Sequence, residues 1–544
     1  MANTLADKDL LSVQQARHLA GRAKAAQQLL AELDQQQVDA IVAAMAEAAR
    51  RDAERLARLA HEETGFGNVK DKTTKNLFCS VDVHEYIKPM RTVGILREDP
   101  VRRVVEIAAP MGVVAAVIPS TNPTSTTIHN TLISIKARNA CVMSPHPAAQ
   151  KCILETTQVL WRAAEAAGLP KDAISCMSEV SLEGTQELMR CRDTGVILAT
   201  GGIGLVRAAY SSGKPAYGVG PGNVPAYIEK TADIPKAVAH VIAGKTFDFG
   251  TLCSSEQAIV CDQAVSEQVI AEVKRNGGYF LNEAETAAVS RVVVTRERLA
   301  NPEIVGKPAT YIAEKAGIKV APETRVLVAP LAGVGRDFPL SIEKLSPVLA
   351  FYVVQDWHQG CERCLQLLRY GGTGHSLGIH SRDDAVIREF ALKKPVFRIV
   401  ANTQTSLGAT GYTTGLAPSM SLGCGAYAGN ITSDNITPLH LINIKRLAYE
   451  WPRELRNAAS AGLHDQVAAF VAEQVGSGGP APSAVRPPAD ASTSAPPALD
   501  FVCEDDVRRA LREGRTLRIK PKAIITPAAR EVAEGKGVLV SEGA

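Results

Sequence analysis

The sequence predicts an α/β protein built on parallel β-sheet, led in by helices and followed by a small separate module. Three observations predict it. Gly112–Ile118 is apolar at every position, as suits a strand covered by helices on both faces. Strand-like and helical runs alternate from there to Leu422, which calls for crossover connections and parallel neighbours. After Val475 the composition shifts to Gly, Pro, Ser and Ala, and a compact stretch follows that shift. A chain of 544 residues exceeds one ordinary core, so two or three domains are expected.

Ser12 to Glu63 is rich in Ala, Leu, Gln and Arg, good helix formers, and Gln37–Met45 places apolar residues three and four apart. The polar run Asp71–Asn76 reads as solvated surface. Val101–Ala108 carries β-branched residues and reads as a partly exposed strand. The apolar strand ending at Ile118 runs into Pro119-Ser-Thr-Asn-Pro-Thr124, a loop of small polar side chains, ahead of a helix around Thr127 to Ala137. A second unit has strand Ala140–Met143, loop Ser144–Pro147 and helix Ala148–Ala167. A third has strand Val196–Ala199, loop Thr200–Gly204 and helix Leu205–Ser211. Ligands of parallel sheets bind beyond the carboxyl ends of the strands, where all three loops fall. Gly201-Gly-Ile-Gly204 reads either as a dinucleotide turn or as a tight turn into a helix, since it does not match GxGxxG. Gly218–Asn223 is another flexible loop, ahead of strand Ala226–Ile228.

Cys253 stands between a glycine-bearing turn and Ser254-Ser255, before the apolar run Ala258–Val260. Small neighbours leave a thiol reachable, the layout of a covalent nucleophile; a buried cysteine acting as a small hydrophobe fits the same residues. His375 reads equally as a binding group or as hydrogen-bonded structure. Cys361-Glu-Arg-Cys364 is a CxxC with no second ligand pair, so no metal is expected.

Several function classes lose support from the totals. A formal charge of +3 gives no case for nucleic acid, and no apolar run reaches the ~18 residues of a membrane span. The start lacks a basic region with an apolar core, and 11 scattered cysteines suit reduced thiols, so a cytoplasmic protein is expected. Residues 476–498 read as a disordered linker. Beyond it come a helix Glu504–Glu513, a strand Thr516–Ile519 and a helix starting at Thr526-Pro527, threonine as cap and proline in the first turn. So small a module is expected to dock onto something.

Together Glu62–Gly65, Pro110–Thr124, Ser144–Pro147, Thr200–Gly202, Gly218–Asn223, Lys245–Gln257, His375-Ser376 and Pro418–Gly425 resemble the coenzyme-A-acylating aldehyde dehydrogenases, in the same order and over nearly all of residues 10 to 450. The nearest type is the acetaldehyde and propionaldehyde enzymes of bacterial microcompartments. The resemblance implies an aldehyde-dehydrogenase fold: a nucleotide-binding domain over 1–235, with part of an oligomerisation arm near 98–110, and a catalytic domain over 236–430. Residues 431–475 would return to the nucleotide domain and arm, and 499–544 would form a docking or encapsulation module.

It implies that Cys253 forms a thioester from a short-chain aldehyde, with NAD (or NADP) as hydride acceptor and coenzyme A as acyl acceptor. Asn122 would be the oxyanion donor with the Cys253 amide, and Thr121 its rival. Cofactor contacts would come from Ile118, Pro119, Ser144, Pro145, His146, Pro147, Thr200, Gly201, Gly202, Val219, Gly220 and Glu343. His375 or Thr121 would meet coenzyme A or substrate. Two departures from the hydrolytic relatives bear on mechanism: Gly218 stands where they carry a water-activating glutamate, and Ser144 where they carry a ribose-binding lysine. A homodimer or homotetramer, held in a microcompartment through shell or core proteins, is expected. The alternatives are a charged aldehyde (sulfoacetaldehyde or succinic semialdehyde), a hydrolytic aldehyde dehydrogenase, a reductase of acyl phosphates, and an inactive body serving shell assembly.

Overall fold

Two parallel sheets set the position of everything else in the first of two compact units, 1–451 and 452–544. The computed structural model describes residues 7–452, 498–502 and 504–541. The sheets are preceded by helices Lys8–Leu30, Gln35–Arg51 and Ala53–Thr64. Asp34 starts the second: its side chain accepts from the Gln37 amide while the Gln37 side chain returns a bond to the Asp34 amide. Buried Ala16, Ala20 and Ala23 let the first helix lie close against the sheet strands Val113–Ile118 and Ala140–Pro145.

The first sheet has the order Ile174–Cys176, Ala140–Pro145, Val113–Ile118, Thr194–Thr200, Ala216–Val219, and every pairing is parallel. The chain begins at the centre, winds outward to Ile174–Cys176, then crosses back to lay Thr194–Thr200 on the other side. The direction of winding thus reverses between Val113–Ile118 and Thr194–Thr200, and a crevice opens beyond their carboxyl ends. The second sheet has seven parallel strands, in the order Gly278–Phe280, Val326–Pro330, Val348–Val354, Glu256–Asp262, Val224–Ile228, Gly374–His380, Val396–Ala401. Its central strand, Glu256–Asp262, is buried at every position.

A third sheet is antiparallel, Ile95–Asp99, Val104–Pro110 and Ile442–Ala448. The strand expected from Val101 begins at Val104, because the preceding residues make the turn, with Arg103 at φ 56°. The helix expected around Thr127 begins at Pro123, with Asn122 at its cap position. Asn122-Pro123 is a usual start signal, cap residue then proline, although the Asn122 side chain makes no capping bond to that helix. Ser144 and Pro145 belong to a strand, not a loop. The polar run Asp71–Asn76 is no solvated surface. It lies in helix Val69–Leu77, and Lys72, Lys75 and Asn76 are buried.

The ten cysteines among the described residues are free, and no metal-holding cluster occurs among those residues. Cys361 accepts a hydrogen bond from Lys394 in place of a metal. No helix among them is long and apolar enough to cross a membrane.

The second unit is a three-stranded parallel sheet, Leu499–Val502, Leu517–Ile525, Leu539–Ser541 in that order, with helices Glu504–Arg512 and Pro527–Ala533 between the strands. Thr526 caps the second helix, accepting from the Ala529 amide at 3.3 Å, as its Thr-Pro pair predicts. Val502, Val507, Ala510, Leu517, Ala529 and Val538 are buried together, a core of its own. Apart from its last residue, the expected linker 476–498 lies outside the described residues.

Candidate active site

Helix Ile234–Thr246 ends in a short turn, Phe247–Gly250, in which Asp248, Phe249 and Gly250 all have positive φ (47°, 52° and 79°). Such backbone costs a non-glycine residue ~1–3 kcal/mol and persists only where the surroundings dictate it. Here a fully buried carboxylate does so. Asp248 accepts from the ammonium groups of Lys72 (2.9 Å) and Lys75, from the Thr251 hydroxyl (2.7 Å) and from the Asn68 amide (2.8 Å). Its own amide donates to Asp71 at 2.8 Å. Burial alone would raise the Asp248 carboxyl; Lys75 and Lys72 hold it below the ordinary carboxylate range. Gly67, at φ +64°, is required beside it, since a Cβ there would overlap the carboxylate. Two residues past this cluster the chain reaches Cys253.

A cavity of about 510 Å³ opens onto Cys253. One end is walled by the carboxyl ends of the first sheet, at Ile118, Pro145, Thr200 and Val219. The other end is walled by residues just ahead of strands of the second sheet: Pro221 before Val224–Ile228, Cys253 before Glu256–Asp262, and Glu343 and Leu345 before Val348–Val354. The two sheets therefore meet the cavity with opposite ends. The rule that ligands lie beyond carboxyl ends holds for the first sheet and is reversed for the second.

Of the residues singled out in the sequence, Ile118, Pro119, Thr121, Asn122, Pro145, His146, Pro147, Thr200, Gly201, Gly202, Val219, Gly220, Cys253 and Glu343 all line this cavity. Ser144 does not; it is fully buried, its hydroxyl 2.9 Å from that of Thr185. His375 is also off the wall. It is fully buried in strand Gly374–His380, with Nδ1 3.0 Å from the Ser376 hydroxyl and Nε2 without a partner. A Cβ on Gly222 would overlap the Cys253 carbonyl and lie 3.0 Å from the His375 ring, so glycine there lets the two approach. Burial and neighbouring Arg398 push His375 down to about 3, which keeps it neutral.

Gly218 is packed as well as bare. A Cβ there would stand 2.6 Å from the Tyr210 hydroxyl and 2.8 Å from Val206. Its carbonyl accepts from Tyr210 and Asn430. A side chain at that position would have to displace Tyr210 and Val206.

The Cys253 thiol is pushed up to about 12, chiefly by burial, then by Glu343 and Cys424, with Arg398 opposing. Its own backbone N–H faces the sulfur. Ser254 and Ser255, expected to leave it open, are themselves fully buried and bind the Ser406 and Gly244 carbonyls at 2.8 and 3.2 Å. They brace the turn; the cavity provides the access. Glu343 accepts from the Gly222 amide at 2.9 Å, and burial raises it to about 7. The Asn122 side chain accepts from Lys75 at 2.6 Å, and its NH₂ donates to the Thr121 hydroxyl (3.2 Å) and the Thr251 carbonyl (3.3 Å).

Sequence reasoning missed Lys72, Lys75 and Asp248. The available signal was two lysines three apart, which a helix turns to one face. Their carboxylate partner lies more than 170 residues away.

A reachable thiol at one end of a cavity and a nucleotide-type crevice at the other define a class: a covalent catalyst served by a nucleotide. Comparison with known proteins agrees. Residues 2–277 match the model of the aldehyde dehydrogenase family. The chain is 43% identical over 435 residues to the bifunctional aldehyde-alcohol dehydrogenase AdhE of Escherichia coli K12, covering 79% of this chain and 49% of that one. It is 37% identical over 449 residues to the succinate-semialdehyde dehydrogenase (acetylating) of Clostridium kluyveri, covering 82% and 97%. The crystal structure of an acetylating aldehyde dehydrogenase from Geobacillus thermoglucosidasius matches with TM-score 0.81 and 52% identity, covering 82% of this chain and 99% of that one. The chain belongs to the aldehyde dehydrogenase family. It spans about half the length of the bifunctional relatives it matches.

The electrostatics around Cys253 give a signed prediction. A thiol held near 12 is almost wholly protonated at neutral pH, so its alkylation by iodoacetamide should be slow at pH 8 and still climbing at pH 10. Above pH 7 Glu343 is ionised and disfavours the thiolate. Glu343→Gln should therefore speed alkylation of Cys253 at pH 8 several-fold; an unchanged or slower rate would contradict this assignment.

Proposed function

We propose that this chain oxidises a short-chain aldehyde to a thioester on Cys253 and passes the acyl group to coenzyme A. The observation that supports it most is Gly218 under Tyr210 and Val206: that position carries no side chain to activate water, and the Glu343 carboxylate is engaged by the Gly222 amide. An acyl-enzyme without a hydrolytic base waits for a better nucleophile, and a thiol is one.

When bound, the oxidised nicotinamide supplies a hydride acceptor and brings positive charge into the cavity, while coenzyme A supplies the accepting thiol. The chain's residues do the rest. The Cys253 thiol gives up its proton to solvent as its sulfur adds to the aldehyde carbon, the carbonyl π pair moves onto oxygen, and that oxygen is met by the Asn122 NH₂ and the Cys253 amide. Losing one such donor typically costs about a hundredfold to a thousandfold in rate. After hydride loss the same donors polarise the thioester carbonyl, and Cys253 leaves as the coenzyme thiol takes the acyl group. Thr121 binds and orients Asn122 rather than replacing it.

The nucleotide end suits an anionic diphosphate. Helix Ile203–Tyr210 begins at Gly202 with no side-chain cap, so its first amides are open to an anion. Among the described residues lining the cavity there is no Lys or Arg to pair with a 2′-phosphate, which favours NAD over NADP. Ser144, withdrawn to Thr185, offers nothing to the adenosine end of the cofactor, and Glu343 is the side chain for the nicotinamide ribose.

Lys75 spends its three hydrogens on Asp248, Asn122 and Thr251, and no Lys or Arg is among the described residues lining the Cys253 cavity, so no cation there is free to pair with a substrate carboxylate. This favours a neutral aldehyde over succinic semialdehyde or sulfoacetaldehyde. The aldehydes are best ranked by coenzyme-A-dependent NADH formation. Acetaldehyde and propionaldehyde should lead, and Cys253→Ala should lose at least a thousandfold. A lead for the acidic aldehydes, or free acid formed equally fast without coenzyme A, would overturn the reading.

We further propose that the second unit docks the enzyme in a protein-shelled compartment, a role its independent core and its resemblance to appended targeting segments support. In a shell-forming cell, a fluorescent fusion of the full chain should be punctate and one ending at residue 498 diffuse. Identical distributions would count against that role.

A further inference from the structure

The two lysines of the buried cluster are not equivalent. Both bind the same oxygen of Asp248, but Lys75 alone reaches Asn122. We propose that Lys75 is a positioning residue that fixes which end of the Asn122 amide meets the oxygen of the Cys253 adduct. The inference rests on the reading of Asn122 as the oxyanion donor.

The argument begins with what an ammonium group can do. It has three donors and no acceptor, so the atom of Asn122 that faces it at 2.6 Å must be the carbonyl oxygen. The NH₂ is then forced to the opposite side, toward the Thr251 carbonyl two residues before Cys253. Turned over, the amide would set NH₂ against NH₃⁺ and oxygen against the Thr251 carbonyl, two like-facing pairs in a buried site. A neutral hydroxyl in place of Lys75 could accept as well as donate, and would leave both orientations open.

Two further features favour the role. Asn122 occupies the cap position of helix Pro123–Lys136 and its carbonyl accepts from the Thr126 amide at 3.1 Å, so its backbone is anchored and the amide orientation is the remaining freedom. The two bonds its NH₂ makes, at 3.2 and 3.3 Å, are long, so a hydrogen can turn to an oxyanion at little loss. Positive charge on the amide oxygen also draws density from the N–H bonds and makes them stronger donors. Lys75 is held in place by Asp248 and by the Thr251 hydroxyl at 3.4 Å, and it stands on helix Val69–Leu77.

Lys72 offers the internal control. It shares Asp248 with Lys75, and its other bond goes to the Thr121 carbonyl at 3.3 Å, not to Asn122. Removing Lys75 leaves Lys72 and Asp248 as a neutral buried pair, and removing Lys72 leaves Lys75 and Asp248 as another. Either deletion perturbs the cluster; only one releases the amide.

The test is the burst of NADH in a single turnover without coenzyme A, at saturating aldehyde and NAD, in the full chain. Lys75→Met should slow the burst about tenfold or more, with KM for NAD little changed, while Lys72→Met costs several-fold less. In an Asn122→Ala background Lys75→Met should cost nothing further, because the group it positions is gone. Lys75→Gln, which keeps a donor but adds an acceptor, should fall between wild type and Lys75→Met, and it serves if the methionine variant fails to fold. Equal losses from Lys75→Met with and without Asn122, or equal losses at the two lysines, would overturn the inference while leaving Asn122 as the donor. A normal burst in Asn122→Ala alone would overturn the oxyanion reading and this inference with it.

Discussion

The site depends on one buried carboxylate. Asp248 ties helix Val69–Leu77 to the turn that presents Cys253, and through Lys72 and Lys75 it reaches Thr121 and Asn122 at the end of the central strand of the first sheet. Two ammonium groups, a hydroxyl and a backbone amide satisfy it, which is why a charge can stand there at all. Breaking a buried pair of this kind typically costs ~3–5 kcal/mol, against which the left-handed residues of the turn are affordable. Three segments far apart in sequence are thereby held in one geometry.

The sheets explain why such a clamp is needed. Each is a rigid parallel platform, but the residues of the candidate site are divided between them: Asn122 follows a strand of one, and Cys253 and Glu343 stand at the heads of strands of the other. The cavity is the gap between a set of carboxyl ends and a set of amino ends. Burial in that gap keeps Cys253 protonated at rest and Glu343 close to neutrality. It also leaves Gly218, which has no side chain to act as a base, under Tyr210. Slow reactivity at rest, and the persistence proposed for an acyl group on Cys253, would follow from the same packing.

Much of this was legible in the sequence where local chemistry dictates structure. Gly112–Ile118 is apolar throughout because both its faces are covered, and the loops after it are small and polar because they wall a cavity. Thr526-Pro527 starts a helix by a cap that needs only neighbouring residues. Legibility ended where a side chain takes a partner from far along the chain. Lys72 and Lys75 look like surface charges until Asp248 is placed beside them. Asn122-Pro123 offers the same cap-and-proline start as Thr526-Pro527, yet the Asn122 side chain serves Lys75 instead of the helix. Ser144 sits in a cofactor-loop motif, yet its hydroxyl turns inward to Thr185. Ser254 and Ser255 suggested access by their size and proved to be internal braces, since their hydroxyls find backbone carbonyls.

The central claim is that the acyl group on Cys253 waits for a thiol. Its most direct measurement is the lifetime of that adduct: the full chain is mixed with propionaldehyde and NAD without coenzyme A, and the modified Cys253 peptide is followed by mass spectrometry. The account predicts one equivalent of NADH per site, a propionyl group on Cys253 that outlasts the coenzyme-A-driven turnover time by at least a hundredfold, and prompt loss of that group as propionyl-CoA once coenzyme A is added. Release of propionate at the rate of turnover, with no adduct accumulating, would contradict it.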